Sequence, residues 1–237
     1  MRISGKILSE TLNLLECKIQ PNISTLELDK IAEKYIIDKG AVPSFLNYNG
    51  FPASICTSLN EIVVHGIPNN NVVLKCGDII SVDVGVCYKG MHTDAARTFP
   101  VGMISEEKQK LINLTKQSFY EGIKHLKVGG RLGEVSNAIQ RFAESNGLGV
   151  VRELVGHGVG QKLHEDPQIP NYGKANSGEH VVENATLAIE PMLNLGTKNI
   201  YQCADGWGII TADGKPSSHH ENTVLITKNG VEVLTDG

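Results

Sequence analysis

The stretch that decides the fold runs from Ser81 to Gly102 and reads SVDVGVCYKGMHTDAARTFPVG. Its short apolar runs around a Lys-Gly pair predict a β-hairpin. With Cys87–Gly90 as a four-residue loop, Asp83 would oppose Asp94, and opposed Cβ atoms lie about 4.5–5.5 Å apart. Two ionised carboxylates at that distance repel each other. Exposed strand aspartates are one explanation, but the apolar neighbours favour burial, and a shared cation would remove the repulsion.

Composition limits the kinds of protein that this chain can be. The chain has 237 residues, of which 41% are hydrophobic and 20% charged, as in a globular protein that buries a sizeable core. The formal net charge of −4 comes without a basic run, so we expect no nucleic-acid specificity. No apolar stretch is long enough for a membrane span.

The N-terminus and the cysteines point to the cytoplasm. MRISGKILSETLNLLE carries charges throughout, which predicts an amphipathic helix rather than a signal peptide. The five cysteines are dispersed without CxxC spacing, which favours a reducing compartment over a disulfide framework. We therefore expect a cytoplasmic protein.

Hydrophobic periodicity predicts four helices in two pairs, each pair followed by strands. The first helix carries Leu8, Leu12 and Leu15 on one side, and the second runs from Ser24 and Thr25 to Gly40. Ser105 would cap a third helix reaching about Leu126, and Leu132 to Asn146 would form the fourth. Residues 28, 31, 35 and 40 resemble those 107 positions later. The pattern predicts an α+β fold with a duplicated unit, in one domain spanning residues 1–237.

Polar residues in apolar or glycine-rich surroundings mark a second set of positions. His157 lies between glycines in LVGHGVGQKLHEDPQIPNY, and His164 follows seven residues later. Glu190 in TLAIEPM, Glu221 in HHENTVLIT and His65 in NEIVVHGIP each lie at a strand end. Taken singly, each has an ordinary explanation, such as a structural histidine or a carboxylate that faces water. Buried together they would need partners.

Together, the four carboxylates and one of the histidines form a hard, oxygen-rich set of potential metal ligands: Asp83, Asp94, His157, Glu190 and Glu221. Such a set suits two divalent ions of the manganese, iron or cobalt kind better than a tetrahedral structural zinc. Two ions can share bridging carboxylates, an arrangement that aminopeptidases use.

The order Asp, Asp, His, Glu, Glu, with the aspartates eleven positions apart, resembles that of the pita-bread metallopeptidases. NEIVVHGIP, GHGVGQKLHEDPQIPNY and HENTVLIT resemble motifs of the type I methionine aminopeptidases, and the likeness covers about Leu8 to Leu234. The resemblance implies two pseudo-symmetric helix-helix-strand halves around a central antiparallel sheet. The sequence has neither the N-terminal zinc-binding region of some members nor the helical insert of type II, so we expect the compact bacterial form.

The resemblance also implies a role for each residue. Asp83 would bind one metal ion, Asp94 and Glu221 would bridge both ions, and His157 and Glu190 would complete the second site. Glu190 would also accept a proton from the attacking water. His164 would stabilise the developing oxyanion, and His65 would contact the substrate near its amine. The remaining histidines match no ligand position and are expected at the surface or behind the ligands; they are His92, His180, His219 and His220.

The family's side-chain pocket falls on residues that suit a flexible thioether: Phe45, Tyr48, Phe51, Cys56 and Trp207. Phe45 stands where some relatives have Cys, and Leu163 stands where an aromatic residue is common. The implied enzyme is a metal-dependent aminopeptidase (a hydrolase) that removes the initiator methionine before a small second residue. It would use two divalent ions (Co, Mn or Fe(II)) and act as a monomer on Met-peptides and nascent polypeptides, including those at the ribosome.

Two other functions fit a pita-bread fold. A proline-directed peptidase usually carries an extra N-terminal domain, for which 237 residues leave no room. A non-catalytic peptide-binding module tends to lose metal ligands, whereas all five expected positions are filled here.

Overall fold

The computed structural model describes residues 1–236 of the chain. It contains four α-helices: α1 Arg2–Glu16, α2 Thr25–Asp38, α3 Glu106–Ile123 and α4 Leu132–Ser145. All four predicted helices are confirmed, although α3 ends three residues before Leu126. The start of α2 is fixed by a capping box, in which Ser24 Oγ accepts from the Glu27 amide and the Glu27 carboxylate accepts from the Ser24 amide.

Fifteen strands make up the β-structure. They are β1 Val42–Pro43, β2 Ile55–Leu59, β3 Ile62–Val64, β4 Ile79–Tyr88, β5 Met91–Pro100, β6 Gly149–Val150, β7 Val155–Gly158, β8 Glu165–Pro170, β9 Thr186–Ile189, β10 Met192–Asn194, β11 Ile200–Gln202, β12 Ile209–Thr211, β13 Ser217–His219, β14 Asn222–Thr227 and β15 Gly230–Val233. A short 3₁₀ turn spans Tyr48–Gly50. The strands form four sheets, and every pairing found within residues 1–236 is antiparallel.

The two halves repeat the same local structure 107 residues apart. Helices α2 and α4 begin and end at this spacing, and so do strands β1 and β6. Each of the two helices is followed by a glycine with a positive φ, Gly40 at 73° and Gly147 at 76°. The amides of Ala41 and Leu148 then bond back to carbonyls five residues earlier. The predicted duplication and the α+β pita-bread class are confirmed.

The hairpin of β4 and β5 forms as predicted, but the predicted register is wrong. Tyr88 pairs with Met91, so the loop has two residues, Lys89 and Gly90, rather than four. Both have positive φ, 52° and 77°, as a tight turn that matches the twist of the strands requires. Asp83 therefore pairs with Ala96 and Asp94 with Gly85. The two aspartates share one face of the hairpin as diagonal neighbours instead of standing directly opposite.

Each half has its own apolar core beneath its helix pair. Helix α1 packs on β4 and β5, and helix α2 packs on α1, β1 and β2, around residues such as Leu8, Leu28 and Val84. Helices α3 and α4 cover the second half, where Phe119 and Ile139 are fully buried. The strands of the two halves meet between these layers. Among the helices of the described chain, none is long and apolar enough to cross a membrane.

Candidate active site

One cavity collects every residue that the sequence predicts for metal binding, catalysis or substrate binding. Its walls also include Asn49 and Leu163. The predicted residues that line it are Phe45, Tyr48, Phe51, Cys56, His65, Asp83, Asp94, His157, His164, Glu190, Trp207 and Glu221. They come from both halves of the chain, so the cavity forms only when the two halves pack together.

Strand interruptions aim the two glutamates into this cavity. Glu190 occupies the break between β9 and β10, and Glu221 lies in the break between β13 and β14. Glu221 is held by backbone hydrogen bonds in both directions with Ala96 of the first half. The Arg97 guanidinium also donates to the Glu221 carbonyl. A carboxylate of the second half is thereby fixed against the hairpin that carries Asp83 and Asp94.

The glycines on either side of His157 let β7 approach the backbones of the adjacent strands β8 and β9 closely. A Cβ at Gly156 would lie 2.4 Å from the Ala188 carbonyl oxygen, and one at Gly158 would lie 2.2 Å from that of Asp166. The His157 Nδ1–H donates to the Gly158 carbonyl oxygen at 2.8 Å. This bond leaves Nε2 free to act as a ligand. Nε2 lies 3.6 Å from Glu190 Oε1 and 3.8 Å from Asp94 Oδ2.

Burial raises the pKa values of all four carboxyl groups in the metal-free protein. Burial raises the pKa of Asp83 to about 7, against an ordinary value of 3.8. Burial raises the pKa values of Asp94, Glu190 and Glu221 well above their usual range, and neighbouring carboxylates add to the effect. Four negative charges in one enclosed site are costly unless protons or cations balance them.

Unpartnered oxygen atoms show that the site is suited to cations. Asp83 Oδ1, Asp94 Oδ1 and Glu221 Oε1 are buried and find no hydrogen-bond donor anywhere in residues 1–236. Asp94, His157 and Glu221 can each turn one ligand atom to a common point, with these atoms within 4.8 Å of one another. Asp83, His219 and Glu221 form a second such group. Oxygen-rich donors with one or two imidazoles fit divalent transition-metal ions.

The two other predicted histidines, His65 and His164, line the same cavity. His164 precedes β8, and its Nδ1 is 2.8 Å from the Tyr48 hydroxyl. Partial burial, and then the nearby His157 and His92, lower its pKa to about 4, so the imidazole is neutral at pH 7. His65 has φ of 59°, an uncommon conformation for a residue with a Cβ. Thr57 and Ser58 of β2 hold the adjoining Gly66 by hydrogen bonds to its carbonyl and amide.

An apolar slot adjoins the carboxylates. Phe45, Phe51, Cys56 and Leu163 are buried together, and Trp207 packs edge-on against Phe51 with ring centroids 5.1 Å apart. Gly85 makes room for Phe45, because a Cβ there would lie 2.6 Å from the phenyl ring. None of these five slot residues is charged.

The sequence predicts the remaining histidines at the surface or behind the ligands, and this is wrong only for His220. His180 is exposed, His92 is half-buried, and His219 and His220 are buried. His220 packs against Phe119 and Tyr120, away from the carboxylates. His219 faces the carboxylates, with Nε2 3.5 Å from Glu221 Oε2. The period of two along a strand, which puts residues 219 and 221 on one face, was the available signal.

Comparison with known proteins defines the class. The sequence profile of metallopeptidase family M24 matches residues 1–228. The chain therefore belongs to metallopeptidase family M24. The prolidase of Pyrococcus furiosus, at 21% identity and a TM-score of 0.82, shares the fold.

More similar relatives identify the group within family M24, and it is the group that the sequence motifs predict. A methionine aminopeptidase of Clostridium perfringens is 54% identical over 235 residues, which are 99% of this chain and 94% of that protein. Methionine aminopeptidase 1 of Bacillus subtilis is 51% identical over the same shares. The crystal structure of the Thermotoga maritima methionine aminopeptidase superposes with a TM-score of 0.98 at 42% identity, covering all of this chain and 95% of that one. The resemblance to bacterial type I methionine aminopeptidases is confirmed, and the chain is a metallo-exopeptidase.

Proposed function

We propose that this protein removes the initiator methionine from new polypeptides whose second residue is small. The observation that carries the proposal is a single cavity in which five metal-type ligands adjoin an apolar slot. The slot offers Phe45, Phe51 and Trp207 as walls and the Cys56 thiol as a soft contact. A flexible, polarisable thioether suits such walls. The full-length similarity to proteins named methionine aminopeptidase supports the same substrate.

Two divalent ions, manganese, cobalt or iron(II), would be held by Asp83, Asp94, His157, Glu190 and Glu221. The unpartnered carboxylate oxygens and the free His157 Nε2 support this ligand set. When bound, such ions supply an acidified water as nucleophile and polarise the scissile carbonyl. We assign Asp94 and Glu221 to both ions, as the family resemblance implies; Glu221 belongs to both groups of candidate ligand atoms, and Asp94 belongs to one.

The chain's own residues would position the substrate and move the proton. Glu190 is the carboxylate that accepts a proton from the attacking water; burial, and then the nearby Asp83, raise its pKa and so favour its protonated form. His164 is held by Tyr48 and is neutral, so it donates one hydrogen bond to the oxyanion without adding charge. His65 contacts the substrate near its amine and the scissile nitrogen.

We extend the proposal to the setting of the reaction. Residues 1–237 form one catalytic domain that acts as a monomer in the cytoplasm. Its substrates are N-terminal Met-peptides and nascent polypeptides, including those emerging at the ribosome. The net charge of −4 without a basic run supports a partner other than nucleic acid.

A release assay tests this substrate assignment. Purified protein is dialysed against a chelator, reloaded with Mn²⁺, Co²⁺ or Fe²⁺, and offered Met-Ala-Ser, Met-Leu-Ser and Ala-Pro-Ser. We expect no release from the metal-free protein, and fast methionine release from Met-Ala-Ser alone after reloading. Preferred cleavage of Ala-Pro-Ser would instead assign a proline-directed peptidase. Full activity without metal would contradict the proposal altogether.

A further inference from the structure

The imidazole of His219 is buried and has no hydrogen-bond partner within residues 1–236. Its side chain is at the end of β13, and the residue is 2% exposed. Neither Nδ1 nor Nε2 finds a hydrogen-bond partner among residues 1–236. A buried polar group without a partner costs free energy, so such groups in native structures have a reason. One ring nitrogen of His219 is therefore available to a ligand.

The geometry around His219 matches a metal site. Its Nε2 lies 3.5 Å from Glu221 Oε2, and the Asp83, His219 and Glu221 ligand atoms lie within 4.8 Å of one another. Atoms that bind one ion at about 2.0–2.2 Å cannot be more than about 4.4 Å apart. The His219–Glu221 separation already satisfies this limit, and only a small side-chain adjustment brings in the third atom.

The internal duplication gives an independent observation. Thr98 Oγ1 accepts from the His219 amide and donates to the His219 carbonyl, at 3.0 and 2.9 Å. In the other half, Thr223 Oγ1 accepts from the Asp94 amide and donates to the Asp94 carbonyl, both at 2.9 Å. Ala96 and Glu221 exchange backbone bonds midway between these pairs. His219 thus holds the place in the second half that Asp94 holds in the first.

We propose that His219 is a sixth metal ligand, which binds, together with Asp83 and Glu221, the ion on the Asp83 side of the cluster. This inference rests on the proposed metal site and extends it by one residue. A neutral imidazole among carboxylates shifts selectivity from Mg²⁺ and Ca²⁺ towards the later transition metals. Each of the two ions would then have one imidazole ligand, His157 on one side and His219 on the other.

If His219 only positioned Glu221 and did not bind an ion, the expected results would differ. If His219 only donated a hydrogen bond to Glu221, glutamine could replace it through its amide group, and no second imidazole would approach an ion. His220 provides a matched control, since it is also buried but packs against Phe119 and Tyr120. The variants are therefore His219→Ala, His219→Gln and His220→Gln.

The test uses full-length protein loaded with Co²⁺ and proton NMR of the hyperfine-shifted imidazole N–H signals. We expect two such signals in the wild type and in His220→Gln, and one in both His219 variants. Calorimetric titration with Co²⁺ should show affinity for one of two ions falling at least about tenfold in His219→Ala, as loss of even an outer-sphere partner can do. Circular dichroism of the metal-free proteins checks that each variant folds.

The outcomes separate this inference from the proposed function. A single shifted signal in the wild type, or unchanged affinity in both His219 variants, would overturn the assignment of His219. If the protein gives two signals but does not cleave Met-Ala-Ser, the assignment of His219 as a ligand stands and the substrate assignment is wrong. Rescue by His219→Gln with one signal in every protein would make His219 a positioning residue.

Discussion

At the residue scale, the two histidines of GHGVGQKLH are predicted to act differently although their rings are close. The ring centroids of His157 and His164 lie 4.2 Å apart. His157 points Nε2 at Asp94 and Glu190, whereas His164 bonds to Tyr48 on the substrate side. The short distance between the rings fits a substrate carbonyl that lies between a metal ion and a hydrogen-bond donor.

Replacing each histidine by alanine separates these two roles. His164→Ala should keep its metal ions and its fold, while kcat on Met-Ala-Ser falls roughly 100- to 1,000-fold, as for loss of one oxyanion donor. KM should change much less, because little binding is lost in the ground state. His157→Ala should lose metal together with rate. Metal analysis and steady-state kinetics on both variants check this, and metal loss in His164→Ala would contradict the assignment.

At the element scale, the two halves are joined by threonine hydroxyls as well as by backbone. Thr223 is fully buried, and its hydroxyl satisfies both the amide and the carbonyl of Asp94. Valine has nearly the same shape but leaves these groups unpaired. The position of Asp94, a proposed metal ligand, therefore depends on one hydroxyl group on a neighbouring strand.

Thr223→Val should lower the free energy of unfolding by about 1–3 kcal/mol, the cost of leaving buried groups unsatisfied. Thr223→Ser keeps the hydroxyl and serves as the control, with a smaller loss from the missing methyl group. Urea unfolding of the metal-free proteins measures both. If Thr223→Val were as stable as Thr223→Ser, the hydroxyl would not be what fixes β5 against β14.

The sequence predicts the helices and the duplication but not the register of the hairpin. Periodicity and caps predict all four helices, because these signals are local, and the spacing of 107 predicts the duplication. The predicted hairpin register is wrong because the sequence pattern cannot distinguish a four-residue loop from the observed Lys89-Gly90 turn. Both leave the same apolar residues on the same face of each strand. Residue types predict the five proposed metal ligands, but they do not predict the position of His219, because its burial depends on packing between the two halves.

At the scale of the whole molecule, the ionisable groups of the site lie between the two halves, each of which has its own apolar core. Asp83 and Asp94 come from the first half, and His157, Glu190 and Glu221 come from the second. Without metal, burial keeps the pKa values of the carboxyl groups raised in the folded state. Folded protein then binds protons that the unfolded chain has already released.

The stability of the metal-free protein should therefore fall as pH rises from 6.5 to 8. The raised pKa of Asp83, about 7, gives stability that is present below pH 3.8 and is lost through pH 7. Lowered histidine pKa values act in the opposite direction, because unfolded histidines still bind protons around pH 6.5, but this effect fades as the pH rises above that value. The histidines concerned are His65, His92, His157, His164, His219 and His220. We expect the four carboxyl groups, whose pKa values are raised, to dominate the trend up to pH 8.

Urea unfolding at pH 6.5 and 8, with chelator present, measures the change. Asp83→Asn removes one of the titrating groups and should flatten the dependence, which makes it the matched control. A free energy of unfolding that rises with pH over this range in the wild type would contradict the account.

The most direct test of the central claim is anomalous diffraction at the manganese edge from crystals of active, Mn²⁺-loaded protein. The claim is that Asp83, Asp94, His157, Glu190 and Glu221 hold the metal ions on which cleavage of Met-Ala-Ser depends. We expect two anomalous peaks among these five side chains, about 3.5–4 Å apart. Protein that cleaves Met-Ala-Ser while its crystals show no peak within this cluster would contradict it.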